Sequence, residues 1–316
     1  MAAPFPRLPS LVVRADNLDV LRHVPDGAVD LVYVDPPFNT GRRQARPPLR
    51  TVRDDAGDRT GFGGRRYRTV ASGPTRAFND AFDDYLGFLE PRVREAHRVL
   101  RPTGSFCLHL DYSEVHYAKV MVDRVFGREA FINEIVWAYD YGARSKSRWP
   151  AKQDDILFYA RDPARYFFDT REVDRIPYMA PGLVGPDKVD RGKLPTDAWW
   201  HTIVSPTGKE KLGYPTQKPL GILRRVVAAS CPPGGVVLDF FAGSGTAGAA
   251  ARQLGRRFVM VDASEDALAV MRARFAGLAD VALLDAGGGE AGLEIAAQIA
   301  RVLEPDRQAD EPIADP

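Results

Sequence analysis

Two cysteines, Cys107 and Cys231, are too few to build a disulfide framework. The five histidines, His23, His97, His109, His116 and His201, show no metal-ligand spacing with one another or with the cysteines, so no metal is expected. No apolar run is long enough to span a bilayer, and no signal peptide is evident. A cytoplasmic protein without membrane contact is the expectation. Charge of one sign is also scarce, with 43 Lys and Arg against 42 Asp and Glu. That balance hides a division, because Asp285 to Pro316 carries eight acids against Arg301 and Arg307, which leaves the rest of the chain at +7. Such a tail is expected to be disordered.

The 45% hydrophobic content is enough for one large domain or two small ones. Leu11 to Val13 and Asp30 to Val34 read as buried strands, with Leu18, Val20, Leu21 and Val24 between them at helical spacing. That is a β-α-β start. From Arg42 to Asp80 there are ten arginines and four aspartates, with glycine pairs and little periodicity. This stretch reads as a mobile, Arg-rich flap that a polyanion could use, or as a solvated loop. A helical stripe from Phe82 to Leu100 contains Pro91, which is expected to kink it or start a second helix. Strands follow at Phe106 to Leu110, Asn133 to Trp137 and Ile156 to Tyr159, with a helix from Val115 to Phe126. Residues 161–212 lose this regularity and contain Trp199-Trp200. Regular alternation returns with a helix from Leu220 to Ser230, a strand from Val236 to Phe240, a helix from Thr246 to Leu254 and a strand from Phe258 to Val261.

Two strand ends carry the chemistry. Asp35-Pro36-Pro37-Phe38 follows the first, offering a carboxylate, a stiff backbone and an aromatic ring. Asp239-Phe240-Phe241-Ala242-Gly243-Ser244-Gly245-Thr246 follows the other, and its glycines permit a tight turn and close approach to a ligand. The next strand ends in Asp262, about one β-α unit past the glycines, where a helix cap is one use for it.

With Tyr214-Pro215-Thr216-Gln217-Lys218-Pro219 ahead of the glycine turn, the chain resembles the β-class DNA amino-methyltransferases from about Val13 to Phe275. These place a methyl group from S-adenosylmethionine on the exocyclic nitrogen of adenine or cytosine. The resemblance implies an α/β fold of the Rossmann-like class I methyltransferase type, a mostly parallel sheet with helices on both faces, in circularly permuted motif order. It divides the chain into a catalytic half (1–160), a target-recognition insert (161–212), a cofactor half (213–284) and the acidic tail (285–316). In the implied mechanism Asp35 and the Pro36 carbonyl accept the two amino hydrogens of a flipped base, Pro37 stiffens the turn and Phe38 stacks on the ring.

For the cofactor the resemblance assigns Asp239, Phe241, Gly243, Ser244, Gly245 and Thr246 to the turn, Asp262 to the ribose hydroxyls, and Thr216 and Lys218 to the methionine end. Tyr214 stands where the family commonly has histidine. Asp16 matches an acid that often meets the cofactor's adenine ring, although an N-cap is an equal use for it. Tyr139 and Tyr141 fall where the family supplies a second aromatic wall, with core packing as the other reading. Arg42, Arg43, Arg144, Lys146 and Arg148 are candidate phosphate contacts. Trp199-Trp200 either enters DNA or staples the insert to the core.

Aspartate at the first catalytic position favours adenine N6 within the family, with cytosine N4 as the alternative. Neither cysteine follows a proline, as the nucleophile of a cytosine-C5 enzyme usually does. A protein-glutamine methyltransferase and a catalytically silent DNA-binding subunit are remoter readings. The implied partner is double-stranded DNA, with a homodimer and a cognate restriction endonuclease as further possibilities.

Overall fold

The computed structural model describes residues 9–46, 49–60, 64–71, 76–140, 145–205, 208–286 and 292–304. Strands β1 (Ser10–Arg14) and β2 (Val29–Val34) flank the short helix α1 (Asn17–Leu21). Five short strands follow: β3 (Arg42–Arg46), β4 (Leu49–Arg53), β5 (Arg59–Thr60), β6 (Arg66–Ala71) and β7 (Arg76–Asp80). Next come α2 (Tyr85–Val99), β8 (Leu100–Asp111), α3 (Val115–Phe126), β9 (Phe131–Ala138) and β10 (Gln153–Ala160). The chain continues through α4 (Pro186–Arg191), β11 (Ala198–Trp200), α5 (Leu220–Ser230), β12 (Val236–Asp239) and α6 (Thr246–Gln253). It closes with β13 (Arg257–Asp262), α7 (Glu265–Arg274), β14 (Val281–Asp285) and α8 (Gly292–Leu303).

Nine strands form one sheet in the order β11-β9-β10-β8-β2-β12-β13-β1-β14. Only β10 runs against the others, because it pairs antiparallel with both β8 and β9 while the remaining ladders are parallel. Alternate residues of the central strands feed two separate cores. Val32, Val34, Leu238 and Val261 pack with α1, α2, α3 and α8 on one face. Leu31, Tyr33, Val237 and Met260 pack with α5, α6 and α7 on the other. Burial on both faces is why these strands read as continuous apolar runs.

Three expectations are corrected. The Arg42 to Asp80 stretch is built of antiparallel ladders: β3 pairs with β7, and β6 lies between β4 and β5. Its strands hold few apolar residues, and runs such as Arg42-Arg43-Gln44 and Leu49-Arg50-Thr51 show no two-residue hydrophobic period, so the sequence does not mark them as strands. Helix α2 runs through Pro91 without a break. The donor that Pro91 lacks would have served Gly87 near the helix start, so the loss is confined to one hydrogen bond. The tail does not lose order at Asp285, since α8 lays Ile295, Ile299 and Val302 into the core against β1 and β13. Those three positions lie on one helical stripe. Residues 305–316 lie outside the described residues.

The described residues of 161–212 are irregular apart from α4, a 3-10 turn at Pro181–Leu183 and a bridge between Ile176 and Lys193, yet β11 joins the main sheet beside β9. Trp199 explains the attachment. It is 8% exposed, donates its indole N–H to the Thr196 carbonyl at 2.6 Å and faces the Arg225 guanidinium at 5.3 Å. Trp200, its neighbour, is 74% exposed. Of the two roles expected of the pair, the structure shows the staple, at Trp199. Among the described residues no helix is long and apolar enough to cross a membrane.

Asp155, buried on β10, yields a stability prediction. Burial, and next the like charge of Glu134, push its carboxyl up to about 6. A folded-state value above the unfolded one means that folding favours the protonated form, so stability declines as pH rises from about 4 to 6 and stays reduced above. Asp155→Asn is expected to raise Tm by roughly 3 °C at pH 8 and to lose that advantage near pH 4, as followed by thermal melts across pH.

Candidate active site

The sheet order explains the site. Strands β2, β12, β13 and β1 are adjacent and parallel, and each delivers an aspartate at or just past its carboxyl end. Asp35, Asp239, Asp262 and Asp16 therefore stand in that order along one edge, where open parallel sheets bind ligands. They line a single cavity of about 570 Å³, together with Phe38, Arg92, Thr216, Lys218, Phe241 and the Gly243-Ser244 turn. Strands distant in sequence become neighbours here: β2 and β12 pair through Leu31–Val237 and Val32–Leu238.

The glycine turn is held from two sides. Asp262 Oδ2 accepts the Gly243 N–H at 2.8 Å and its Oδ1 accepts the Ser264 N–H at 2.9 Å. Gly243 (φ 49°) and Gly245 (φ 72°) take left-handed backbone that residues with a Cβ rarely adopt. Space is also closed there, since a Cβ on Gly245 would come within 2.9 Å of Met271 Cγ and one on Gly243 within 2.9 Å of a Tyr214 ring carbon. Tyr214 thus packs against the turn by its ring. Ser244 Oγ lies 3.0 Å from Thr246 Oγ1, and Arg274 Nε donates to the Ser244 carbonyl at 2.6 Å. Burial brings the Arg274 guanidinium down to about 10.

Asp239 is 3% exposed and accepts the Phe241 N–H at 3.0 Å. Burial, then the like charges of Asp35 and Asp262, push its carboxyl well above the usual range. Asp262 is also raised, by burial. Five aspartates line the cavity against Arg92 and Lys218. An excess of carboxylate suits a cationic ligand.

Asp35 does not face the cavity alone. Both of its oxygens accept from Lys218 Nζ, each at 2.7 Å, and the same ammonium lies 4.7 Å from the Phe38 ring centroid. Lys218, expected at the methionine end of a cofactor, thus clamps the Asp35 carboxylate while still lining the cavity. Asp16 is the N-cap of α1, its Oδ1 accepting the Leu18 N–H at 2.9 Å, and the residue also lines the cavity. Thr216 lines it as well.

Of the two aromatic residues expected to form a second wall, Tyr139 shows the core packing that was its other reading. Tyr139 donates its hydroxyl to Asp154 Oδ1 at 3.0 Å and packs its ring on Trp137, with centroids 5.1 Å apart. Because β9 and β10 are paired there, this side chain is tied to the sheet. Tyr141 and Arg144 lie outside the described residues, as do the side chains of Arg42 and Arg43. Lys146 and Arg148 are exposed on the β9–β10 connection. Cys107 and Cys231 are buried, and burial raises both thiols. Among the described residues no group of three or more metal-ligating side chains comes together.

Sequence reasoning missed four residues that hold the site in shape. Asn17 donates Nδ2–H to the Phe240 carbonyl at 3.0 Å and accepts from Arg92 Nε at 2.8 Å. Arg92 in turn lies 3.9 Å over the Phe88 ring. Asn39 adopts φ 55°, donates to Glu114 at 2.8 Å and accepts the Phe82 N–H at 3.0 Å, while Asp80 accepts the Asn39 N–H at 2.8 Å and the Thr40 hydroxyl. Asn39 directly follows the Pro-Pro-Phe turn and had the composition of a turn residue. Behind Phe38, the Tyr33 hydroxyl meets His109 Nδ1 at 2.7 Å and His109 Nε2 meets Asp154 at 3.2 Å. That buried chain backs the Phe38 ring, which lies 6.2 Å from the imidazole.

A mostly parallel sheet with one antiparallel strand, helices on both faces and a glycine turn at the switch point is the class I methyltransferase architecture, here with the Asp35 strand preceding the glycine-turn strand in sequence. A family model described as DNA methylase matches residues 29–272, and the chain belongs to that family of N6-adenine and N4-cytosine DNA methyltransferases. It is 28% identical over 275 residues to the type II methyltransferase M.ScaI of Streptomyces caespitosus, spanning 82% of this chain and 78% of that one. It is 27% identical over 263 residues to the DNA adenine methyltransferase YhdJ of Escherichia coli K12, spanning 81% and 79%. Among solved structures, the cytosine-N4-specific PvuII DNA methyltransferase matches with a TM-score of 0.57 at 16% identity, covering 96% of this chain and 97% of that chain. The methyl donor of the family is S-adenosylmethionine.

Proposed function

We propose that the protein transfers a methyl group to the exocyclic N6 of an adenine flipped out of duplex DNA. The observation that carries the reading is Asp35, held at the lip of a carboxylate-rich cavity beside Phe38. When bound, S-adenosylmethionine supplies an electrophilic methyl on a sulfonium. The residues present fit it: aspartates outnumber cations five to two around the cavity, a cationic ligand would relieve the burial and like-charge repulsion that raise Asp239, and Asp262 and Asp16 are acceptors for hydroxyl and amine groups.

The amino nitrogen of adenine is a weak nucleophile because its lone pair is delocalised into the ring. Acceptors for both of its hydrogens favour the pyramidal geometry that frees that pair. A carboxylate has about four lone-pair positions, so Asp35 retains room for an amino hydrogen while it holds Lys218. The Pro36 carbonyl accepts the second hydrogen, and Phe38 stacks on the base. With an ammonium 2.7 Å from both oxygens, Asp35 acts as an orienting acceptor, and the proton lost from the methylated nitrogen passes to solvent water after transfer.

Aspartate at the first position and the likeness to an adenine enzyme favour adenine over cytosine. Expression in a methylation-free host, followed by nucleoside mass spectrometry, tests this. N6-methyladenine is expected; N4-methylcytosine would keep the mechanism and change the base, and no methylated base would remove the reading. Work in the cytoplasm, pairing with a cognate endonuclease and homodimerisation complete the proposal. Support for the pairing comes from relatives named as type II methyltransferases and as the Mod subunit of a type III restriction-modification enzyme.

The arginine-bearing β-ribbon begins at Arg42, directly after the catalytic turn, and Asp80 ties its stem to that turn through Asn39 and Thr40. If Arg42 and Arg43 contact phosphates, replacing both by alanine is expected to reduce the slope of log K against log salt by about 2, at roughly 0.9 per contact. Titrations of a fluorescent duplex at several salt concentrations measure that slope.

A further inference from the structure

The connection between β9 and β10 carries a feature that the catalytic reading does not use. Trp149 is 94% exposed. Residues 141–153 contain Arg144, Lys146, Arg148 and Lys152 and no acid. Lys152 sits 3.7 Å from Asp140 at the base of the loop, while Lys146 and Arg148 point to solvent. An apolar patch in a purely cationic segment fits a polyanion that also has aromatic faces, which is nucleic acid.

Strand register places this loop. Val34, the last residue of β2 before Asp35, pairs with Leu108, which pairs with Leu157, which pairs with Glu134. From that level β9 continues four residues to Ala138, and β10 starts four residues earlier at Gln153. At about 3.3 Å per residue the two strands rise roughly 13 Å above the level at which Asp35 leaves the sheet. Both ends lie on the catalytic edge, since β9 is parallel to β2. The loop thus rises from the same edge as the Asp35 turn, two to three strands to the side of β2, or about 10 to 14 Å at roughly 4.8 Å per strand, beside the site where the base must arrive. Its geometry is fixed locally: Ser145 Oγ accepts the N–H groups of Ser147 and Arg148, each at 3.2 Å, and Pro150 restricts Trp149 to extended backbone.

Resting on the DNA reading above, we propose that Trp149 is the wedge of base flipping, entering the duplex and stacking in the gap that the extruded base leaves. Flipping must replace the stacking lost by the target base and its neighbours, and an indole supplied at that point does so. Lys146 and Arg148 hold the flanking phosphates.

The test begins with single-molecule sequencing of DNA methylated by the wild-type protein, which gives the recognised motif. Single-turnover methylation is then compared on a matched duplex of that motif and on one with an abasic site opposite the target base, where extrusion is cheap. Trp149→Ala is expected to slow transfer about tenfold on the matched duplex, the order of one lost base–aromatic stack, and to return within about threefold of wild type on the abasic duplex. Trp149→Phe should stay within about threefold on both. The wedge is overturned by an alanine variant as fast as wild type on matched DNA, or equally slow on both duplexes. Failure of the DNA reading is distinguishable, because the wild-type protein would then methylate no duplex, and the wedge falls with it. The residue is exposed, so an unchanged thermal melt is the folding control.

Discussion

Asp35→Ala is expected to lower single-turnover methyl transfer by about 10³-fold while the Kd for S-adenosylmethionine moves less than about threefold. The separation follows from placement. Asp35 leaves β2 at the end of the cavity next to Phe38, whereas the glycine turn and Asp262 lie on β12 and β13. Under the proposed function, removing the carboxylate deletes the acceptor for the amino group, and it releases the Lys218 ammonium from its two 2.7 Å contacts. A freed ammonium beside the base is worse than none, because it opposes the positive charge that develops on nitrogen. Asp35→Asn keeps one acceptor oxygen but offers the base an N–H as well, so it should retain only a small part of the rate. Quench-flow rates paired with calorimetric cofactor titrations decide the matter. Parallel loss of rate and cofactor affinity would remove Asp35 from the role of acceptor and make it a structural support of the pocket.

The fold was legible where a strand is buried on both faces. Val32 and Leu238 sit in continuous apolar runs that only a central parallel strand explains. Asp35 and the Gly243 turn were legible for a different reason, namely that stiff or permissive backbone has few residue types available to it. What failed to show depends on partners far away in sequence. Arg92 looks like any surface arginine of an amphipathic helix, and its burial against Asn17, 75 residues earlier, is set by how α2 packs on α1. Lys218 was read as a cofactor ligand, yet its partner here is Asp35, 183 residues distant, a pairing made where the segment leading into α5 meets the end of β2. The β-ribbon was missed because both of its faces carry polar residues, so no alternation marks it. Helix α8 was missed because a strongly acidic tail dominated the composition, although its apolar stripe was in plain view.

Asp262→Ala should do the converse of Asp35→Ala, weakening S-adenosylmethionine binding about 30- to 100-fold while transfer at saturating cofactor stays within about threefold. The Asp262 carboxylate joins two segments of the cofactor turn, accepting from Gly243 on one side and from Ser264 on the other. Both are charge-assisted bonds to backbone donors in a largely buried place, so their loss leaves two N–H groups without acceptors and frees a turn whose glycines impose no conformation of their own. If the same carboxylate also accepts from the ribose hydroxyls, as its position one β-α unit past the glycines implies, that contact is lost too. A combined loss near 2 to 3 kcal/mol converts to the range given, at about 1.4 kcal/mol per tenfold. The two contributions separate with S-adenosylmethionine analogues lacking the 2′ or 3′ hydroxyl. Wild type should lose affinity for them and Asp262→Ala should not discriminate. Equal discrimination by both proteins would confine Asp262 to shaping the turn, and an unchanged Kd in the alanine variant would remove it from the cofactor site altogether.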